Sequence, residues 1–263
     1  MYTKAMKSTP PDSRRPAPES HPLLSQLENT VAFRLFSERK LPTLTVPEQI
    51  AAQIGDDIIK GRLAPGAPLN EQNLADAFEV SRGPIREAIR ILEREGMVTI
   101  YARRGAVVTD LTLTEVREVF EIRAGLFEIV ARKIARHHTP EFLATLEAGV
   151  ERLRQLSDLD DDAGQYAEMS YRLSILGVRN CGNQRLADML TSISLQTLRY
   201  SRIGFQSRKR RQASARLWRE SLAALKRGDA EQYVAIARER IESSARGIVE
   251  RLSELKSQQE PPA

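Results

Sequence analysis

The chain has 263 residues, 41% of them hydrophobic and 29% charged, enough for two domains that each bury a core. Its formal charge of +5 suits a polyanionic partner, whereas aromatic residues at 5% argue against a stacking platform for single-stranded nucleic acid. One cysteine, Cys181, excludes an intramolecular disulfide, and no transmembrane-length apolar run or signal-peptide core occurs, so a cytoplasmic protein without a membrane partner is expected.

Residues 1–43 open with Pro10, Pro11, Pro16, Pro18 and Pro22 among polar residues, which reads as a disordered tail. Leu23, Leu24, Leu27, Val31 and Leu35 fall near helical spacing and make a candidate leading helix within it. A compact domain is expected over 44–110. Ile50, Ile54 and Ile58 recur every fourth residue and give one apolar helix face, which Gly61 and Pro65-Gly66 end. Asn70 is a good N-cap for a second helix carrying Leu74, Ala75 and Phe78. After a turn at Glu79-Val80, Ser81 can cap a third helix, with Pro84 in its first turn and Ile85, Ala88, Ile89 and Leu92 on its buried face. Met97–Tyr101 and Ala106–Thr109 then read as strands joined by Ala102-Arg103-Arg104-Gly105. Three helices followed by a hairpin is the order of a winged helix-turn-helix.

Arg82, Arg86, Arg90 and Arg94 in the third helix are spaced by four, a stripe that drifts about 40° per step. Arg82 and Arg86 share the outward N-terminal face, the end that enters the major groove in a helix-turn-helix, where arginine can grip guanine O6 and N7 or hold a phosphate. Glu87, Glu93 and Glu95 lie among these arginines, so pairing along a solvated helix face is the alternative. Arg103, Arg104 and Gly105 put two cations at a hairpin tip, where a wing meets phosphate or the minor groove.

The run Leu74-Ala75, Val80-Ser81-Arg82-Gly83-Pro84-Ile85-Arg86-Glu87-Ala88, Leu92, Gly96-Met97-Val98 and Gly105 resembles the DNA-binding domain of GntR-family bacterial regulators. The loop Gly61-Arg62-Leu63-Ala64-Pro65-Gly66 matches the same family. The resemblance implies DNA contacts by Arg82 and Arg86, with Ser81, Gly83, Arg90, Arg103, Arg104 and Gly105 in the same interface. Where one member pattern has an arginine after the glutamate that opens the second helix, this chain has Gln72, a further candidate contact.

Residues 111–256 read as an antiparallel bundle. A long helix capped by Thr112 or Thr114 runs to about His137, with others at 140–157, 162–179, 183–205, 208–227 and 229–256, and 257–263 is expected to be a disordered tail. The fold class is therefore mainly α: an N-terminal winged helix-turn-helix of three helices plus a β-hairpin, then a C-terminal antiparallel all-helical bundle. Glu121-Ile122-Arg123, Gly182-Asn183-Gln184-Arg185-Leu186 and Gly228-Asp229-Ala230 resemble the FadR subgroup, whose C-terminal part is an effector-binding and dimerisation domain of the FCD type.

Many such domains hold a divalent metal with an aspartate and three histidines. Counting from Gly182 and Gly228 places those positions at Ser170, Ser174, Trp218 and Arg240, and the only histidines are His21, His137 and His138. No metal or other cofactor is expected. An anionic effector then needs fixed cations. Arg123 matches an arginine that often faces the cavity in this subgroup, and Ser170, Tyr171, Ser174, Trp218 and Arg240 complete the expected site. A structural ion pair between Arg123 and Glu168 is the alternative, and Phe127, in place of a usual glutamate, points to a more apolar pocket. The basic stretch Arg199, Arg202, Arg208, Lys209, Arg210 and Arg211 reads as a second DNA-facing patch, an effector clamp or a solvated helix junction. Cys181 reads as a packed core thiol or a redox sensor.

The sequence is thus expected to encode a transcriptional regulator, in this family usually a repressor, and not an enzyme. Its expected partners are double-stranded operator DNA, a second copy in a homodimer and a small carboxylate effector. A DNA-binding architectural protein without an effector is the alternative.

Overall fold

A computed structural model describes residues 44–159 and 163–259. The tail and leading helix expected over residues 1–43, and the end of the tail at 260–263, lie outside the described residues. The chain divides into two compact units between Asp110 and Leu111.

In the first unit, α1 (Val46–Ile59) starts where the Thr45 backbone N–H and hydroxyl donate to Glu48 Oε2 at 2.9 and 3.0 Å. Its Ile50, Ala51, Ile54 and Ile58 are buried. Strand β1 (Pro68–Leu69) leads into α2 (Glu71–Phe78), whose cap is Asn70, accepting from Gln72 N at 2.9 Å and Asn73 N at 3.0 Å. Glu79 ends α2 in the left-handed region (φ 55°). Helix α3 (Arg82–Arg94) packs Ile85, Ala88, Ile89 and Leu92 inward and lies on α1. Ser81 has the extended backbone of an N-cap, yet its side chain makes no capping bond, which corrects the expectation that it caps α3.

Strands β2 (Val98–Tyr101) and β3 (Gly105–Val108) form the hairpin, in register Val98↔Val108 to Tyr101↔Gly105. Its loop has Arg103 at φ 65°, and Gly105 at φ 80° already belongs to β3 rather than to the turn. A third strand is not legible in the sequence: β1 pairs antiparallel with β3, giving the order β1-β3-β2. Two residues are too short to show a period, and Pro68, lacking an N–H, sits on the sheet edge where that loss is tolerated.

The second unit comprises α4 (Leu113–Arg136), α5 (Pro140–Asp158), α6 (Ala163–Asn180), α7 (Gln184–Gly204), α8 (Arg208–Lys226) and α9 (Ala230–Gln259). Thr112, not Thr114, caps α4: it accepts from Glu115 N at 3.2 Å while its own N–H donates to Glu115 Oε2 at 2.7 Å. Helix α9 continues three residues past the end expected at 256. No proline interrupts it before Pro261, and the Ser257 hydroxyl donates to Ser253 O at 3.0 Å. Helix α9 packs on α4, α7 and α8, and α5 joins α6 to α8. A Cβ at Gly204 would lie 2.7 Å from Ile248 Cγ1, so glycine is what lets α7 meet α9. Cys181 is buried at the α6–α7 turn, the placement of a packed thiol rather than an accessible redox sensor.

The basic stretch is only in part a solvated junction, with Arg208 and Lys209 exposed and the other four drawn into packing or pairing. Arg199 and Arg211 are buried, Arg210 pairs with Glu250, and the Arg202 guanidinium lies over Gly164. Arg211, 1% exposed, donates to Phe205 O at 2.9 Å, Gln206 O at 3.0 Å and Leu159 O at 2.6 Å. One guanidinium thereby satisfies carbonyls at the ends of both α7 and α5. Arg211→Met keeps the stem and removes the donors. It is expected to lower stability by about 1–3 kcal/mol in urea unfolding, and an unchanged midpoint would show that those carbonyls find other donors.

Candidate functional site

The exposed face of the winged unit is built where α2 meets α3. Gln72, Ser81, Arg82, Gly83, Arg86 and Arg90 are all exposed, as are Arg103, Arg104 and Gly105 at the hairpin tip. Arg82 donates to Gln72 Oε1 through Nε at 2.7 Å and through Nη2. Arg86 Nε donates to Glu71 Oε2 at 2.8 Å. Side chains at the start of α2 therefore hold the two arginines at the start of α3. The Arg86 bond uses Nε, which leaves its paired Nη groups for an outside acceptor, the end-on fork that suits guanine O6 and N7. Arg90 lies 3.9 Å from Glu87 Oε2, the pairing along the helix weighed as its alternative role. Tyr101 and Ile100, exposed beside the hairpin arginines, escape sequence reasoning because strand alternation alone does not say which face is bare.

Gly83 lies in α3 with no positive φ, and a Cβ there would meet nothing nearer than Ser81 Oγ at 3.9 Å. The fold of the described residues has no steric need for glycine at this position.

In the helical unit one cavity gathers the whole expected effector set: Arg123 from α4, Ser170, Tyr171 and Ser174 from α6, Trp218 from α8 and Arg240 from α9. Helix α7 adds Ser194 and Ser201, α8 adds Ser214 and α9 adds Ser244. Sequence reasoning misses these four, although Ser194, Leu198 and Ser201 recur at helical spacing. The cavity is about 30 Å³, room for very few waters. It is not the apolar pocket that Phe127 pointed to: six serines line it, and Phe127 instead lies with its ring 5.7 Å from the Arg240 guanidinium.

Arg123 is 7% exposed and Arg240 is 9% exposed, and among the described residues no Asp or Glu is in the lining. Arg123 Nη1 donates to Thr197 Oγ1 at 3.2 Å, Arg240 Nη1 donates to Ser221 Oγ at 3.3 Å, and among the described residues the Nε–H of both lacks a partner. Arg240 stacks on the Trp218 ring at 3.3 Å from the centroid, and the indole N–H donates to Ser170 Oγ at 3.3 Å. Burial pushes the Arg123 guanidinium down to about 10. Burial pushes Arg240 down to about 10 as well, and the nearby charge of Arg123 acts in the same direction. Glu168 pairs with Arg172 at 2.6 Å, so Glu168 is not the internal counter-ion of Arg123.

The residues at the expected metal positions do not fit a divalent cation. Ser170 and Ser174 offer hydroxyls, while Trp218 and Arg240 offer only N–H donors, and two guanidiniums repel a cation. His137 and His138 close α4, where His138 Nδ1 lies 3.0 Å from Ile134 O.

Residues 47–108 match the bacterial regulatory proteins of the gntR family, and residues 118–243 match the FCD domain. An uncharacterized HTH-type transcriptional regulator of Bacillus subtilis (strain 168) is 30% identical over 146 residues, 56% of this chain and 65% of the relative. The gluconate operon transcriptional repressor of Bacillus licheniformis is 32% identical over 120 residues, 46% of this chain and 49% of the relative. The chain thus spans from about half to just under two thirds of these relatives' length. Among solved structures, E. coli McbR/YncC shares the fold, with a TM-score of 0.66 at 19% identity over 83% of this chain and 100% of that one. No helix among the described residues is long and apolar enough to cross a membrane.

Gly83→Ala is expected to stabilise the winged unit by roughly 0.4–1 kcal/mol, because alanine restricts the unfolded chain and meets no obstacle in the folded one. Thermal or urea unfolding measures this, and a clear loss of stability would mean that the fold itself requires the glycine.

Proposed function

We propose, from the premise that the chain belongs to the gntR family of bacterial regulatory proteins and carries an FCD domain, that it represses transcription by reading a DNA operator under the control of a small anion. The observation that carries the DNA half is the pair of exposed guanidiniums, Arg82 and Arg86, tied to α2 at the leading end of α3. That end of a recognition helix reaches base edges, and the hairpin arginines reach phosphate or the minor groove alongside. Gly83 lets the DNA backbone approach α3 closely.

The effector half rests on two buried arginines facing one cavity that has no carboxylate among the described residues. An anion, a carboxylate above all, supplies the missing charge. Because the cavity is small, a bound metabolite has to displace the side chains that close it, and this is the differential contact by which effector binding biases one state over another. The protein acts in the cytoplasm as a homodimer on a palindromic operator. The exposed Ile122 and Ile129 on α4 are apolar surface available to the second copy. No reaction is assigned to the chain, and no metal takes part.

A titration on a fragment of the protein's own promoter region tests the DNA half. Arg82→Ala and Arg86→Ala are each expected to cost about 1–3 kcal/mol on the operator and less on unrelated duplex, whereas Arg103→Ala should weaken all duplexes alike and reduce the salt slope by about one. Specific binding untouched by Arg82→Ala and Arg86→Ala would remove α3 from the interface. For the metal, EDTA should leave both the melting temperature and DNA affinity unchanged, and a fall in either would reverse the metal-free assignment.

A further inference from the structure

If the cavity holds the proposed anionic effector, its wall constrains that ligand more narrowly than a negative sign. Two guanidiniums face it, and none of its described lining residues is acidic. A buried cation is costly unless its charge is matched. One monoanion would match one of the two and leave the other buried and uncompensated. Both guanidiniums line the same small cavity. A single ligand between them can therefore relieve both.

Hydrogen-bond geometry points the same way. In each arginine the hydroxyl partner takes Nη1: Thr197 Oγ1 for Arg123 and Ser221 Oγ for Arg240. In each, the Nε–H has no partner among the described residues, although the side chain is more than nine-tenths buried. The Nε edge of a guanidinium is the one that receives a carboxylate or phosphate side-on, through two parallel bonds. Ser194 Oγ is a further buried polar atom of the lining with no partner among the described residues. Arg240 cannot easily swing away to find water, because Trp218 and Phe127 lie against it. The space of about 30 Å³ admits only a compact molecule without large rearrangement.

We infer that this cavity is a site for a compact dianion, gripped side-on by Arg123 and Arg240, its two negative charges carried by one phosphate group or by two closely spaced carboxylates; this rests on the effector role proposed for the helical unit. The serine hydroxyls supply the remaining hydrogen bonds. Trp218, the only tryptophan in the sequence, stacks on one of the two gripping cations and reports the event.

The test uses the full chain and its tryptophan emission, with calorimetry in parallel. Inorganic phosphate, malonate, acetate and chloride are titrated at matched ionic strength. At least one dianion is expected to bind on the order of 100-fold tighter than acetate, because it closes a second charge-assisted pair. Phosphate and malonate distinguish the two sources of charge, and tight binding of either supports the inference. Arg123→Met and Arg240→Met, checked for folding by circular dichroism, should each reduce the dianion to about the affinity of acetate. The comparison among anions on the unsubstituted chain stands even where a variant fails to fold. Acetate binding as tightly as both dianions overturns the dianion inference and leaves the anionic-effector reading intact. No anion moving either signal overturns both. Dianion binding that survives both arginine substitutions places the site elsewhere and overturns the inference.

Discussion

Two guanidiniums are shut inside the helical unit with hydroxyls and aromatic faces around them and, among the described residues, no carboxylate in the cavity wall. Most buried arginines in a helical protein are matched by an internal acid, since unpaired charge in a low-dielectric interior is strongly disfavoured. Here Glu168, the acid best placed in sequence to serve Arg123, is drawn off by Arg172. Arg211 shows the other solution in the same unit: full burial with three carbonyl acceptors. Among the described residues Arg123 and Arg240 have neither solution, and that deficit is the ground for the ligand site proposed above.

The two units divide the work by exposure. In the winged unit the arginines that matter are at the surface, held by Gln72 and Glu71 through exposed bonds that are individually weak. Such bonds orient without trapping, so an outside acceptor can replace them. In the helical unit one helix has several duties. Helix α7 lines the cavity through Ser194, Leu198 and Ser201, holds Arg123 through Thr197, and through Tyr200 accepts the N–H of Leu111, the first residue of that unit. A ligand that shifts α7 therefore acts on the residue at which the helical unit begins.

Much of this is legible in the sequence because it rests on local rules. The apolar period of α1 and α3, the Asn70 cap and the glycine and proline stops locate the winged unit's helices to within a residue or two. Counting from Gly182 and Gly228 locates Ser170, Ser174, Trp218 and Arg240, and these line one cavity together with Arg123 and Tyr171. What is not legible depends on long-range partners. The strand Pro68–Leu69 exists only because β3 lies beside it. Ser81 carries the residue type of a cap without making the bond. The basic stretch reads as solvated because charge runs usually are, and only the packing of α5, α7 and α8 shows that Arg199 and Arg211 are interior. Phe127 reads as cavity wall, whereas it lies against Arg240 and the wall itself is rich in serine.

The central claim is that the cavity and the recognition helix are coupled. The most direct measurement is fluorescence anisotropy of a duplex selected by the protein from a random pool, read while a dianion is titrated and Trp218 emission monitors its binding. The account predicts that DNA affinity shifts over the same concentration range in which Trp218 responds, and that Arg240→Met abolishes both changes. A saturated Trp218 signal with unchanged DNA affinity would contradict it.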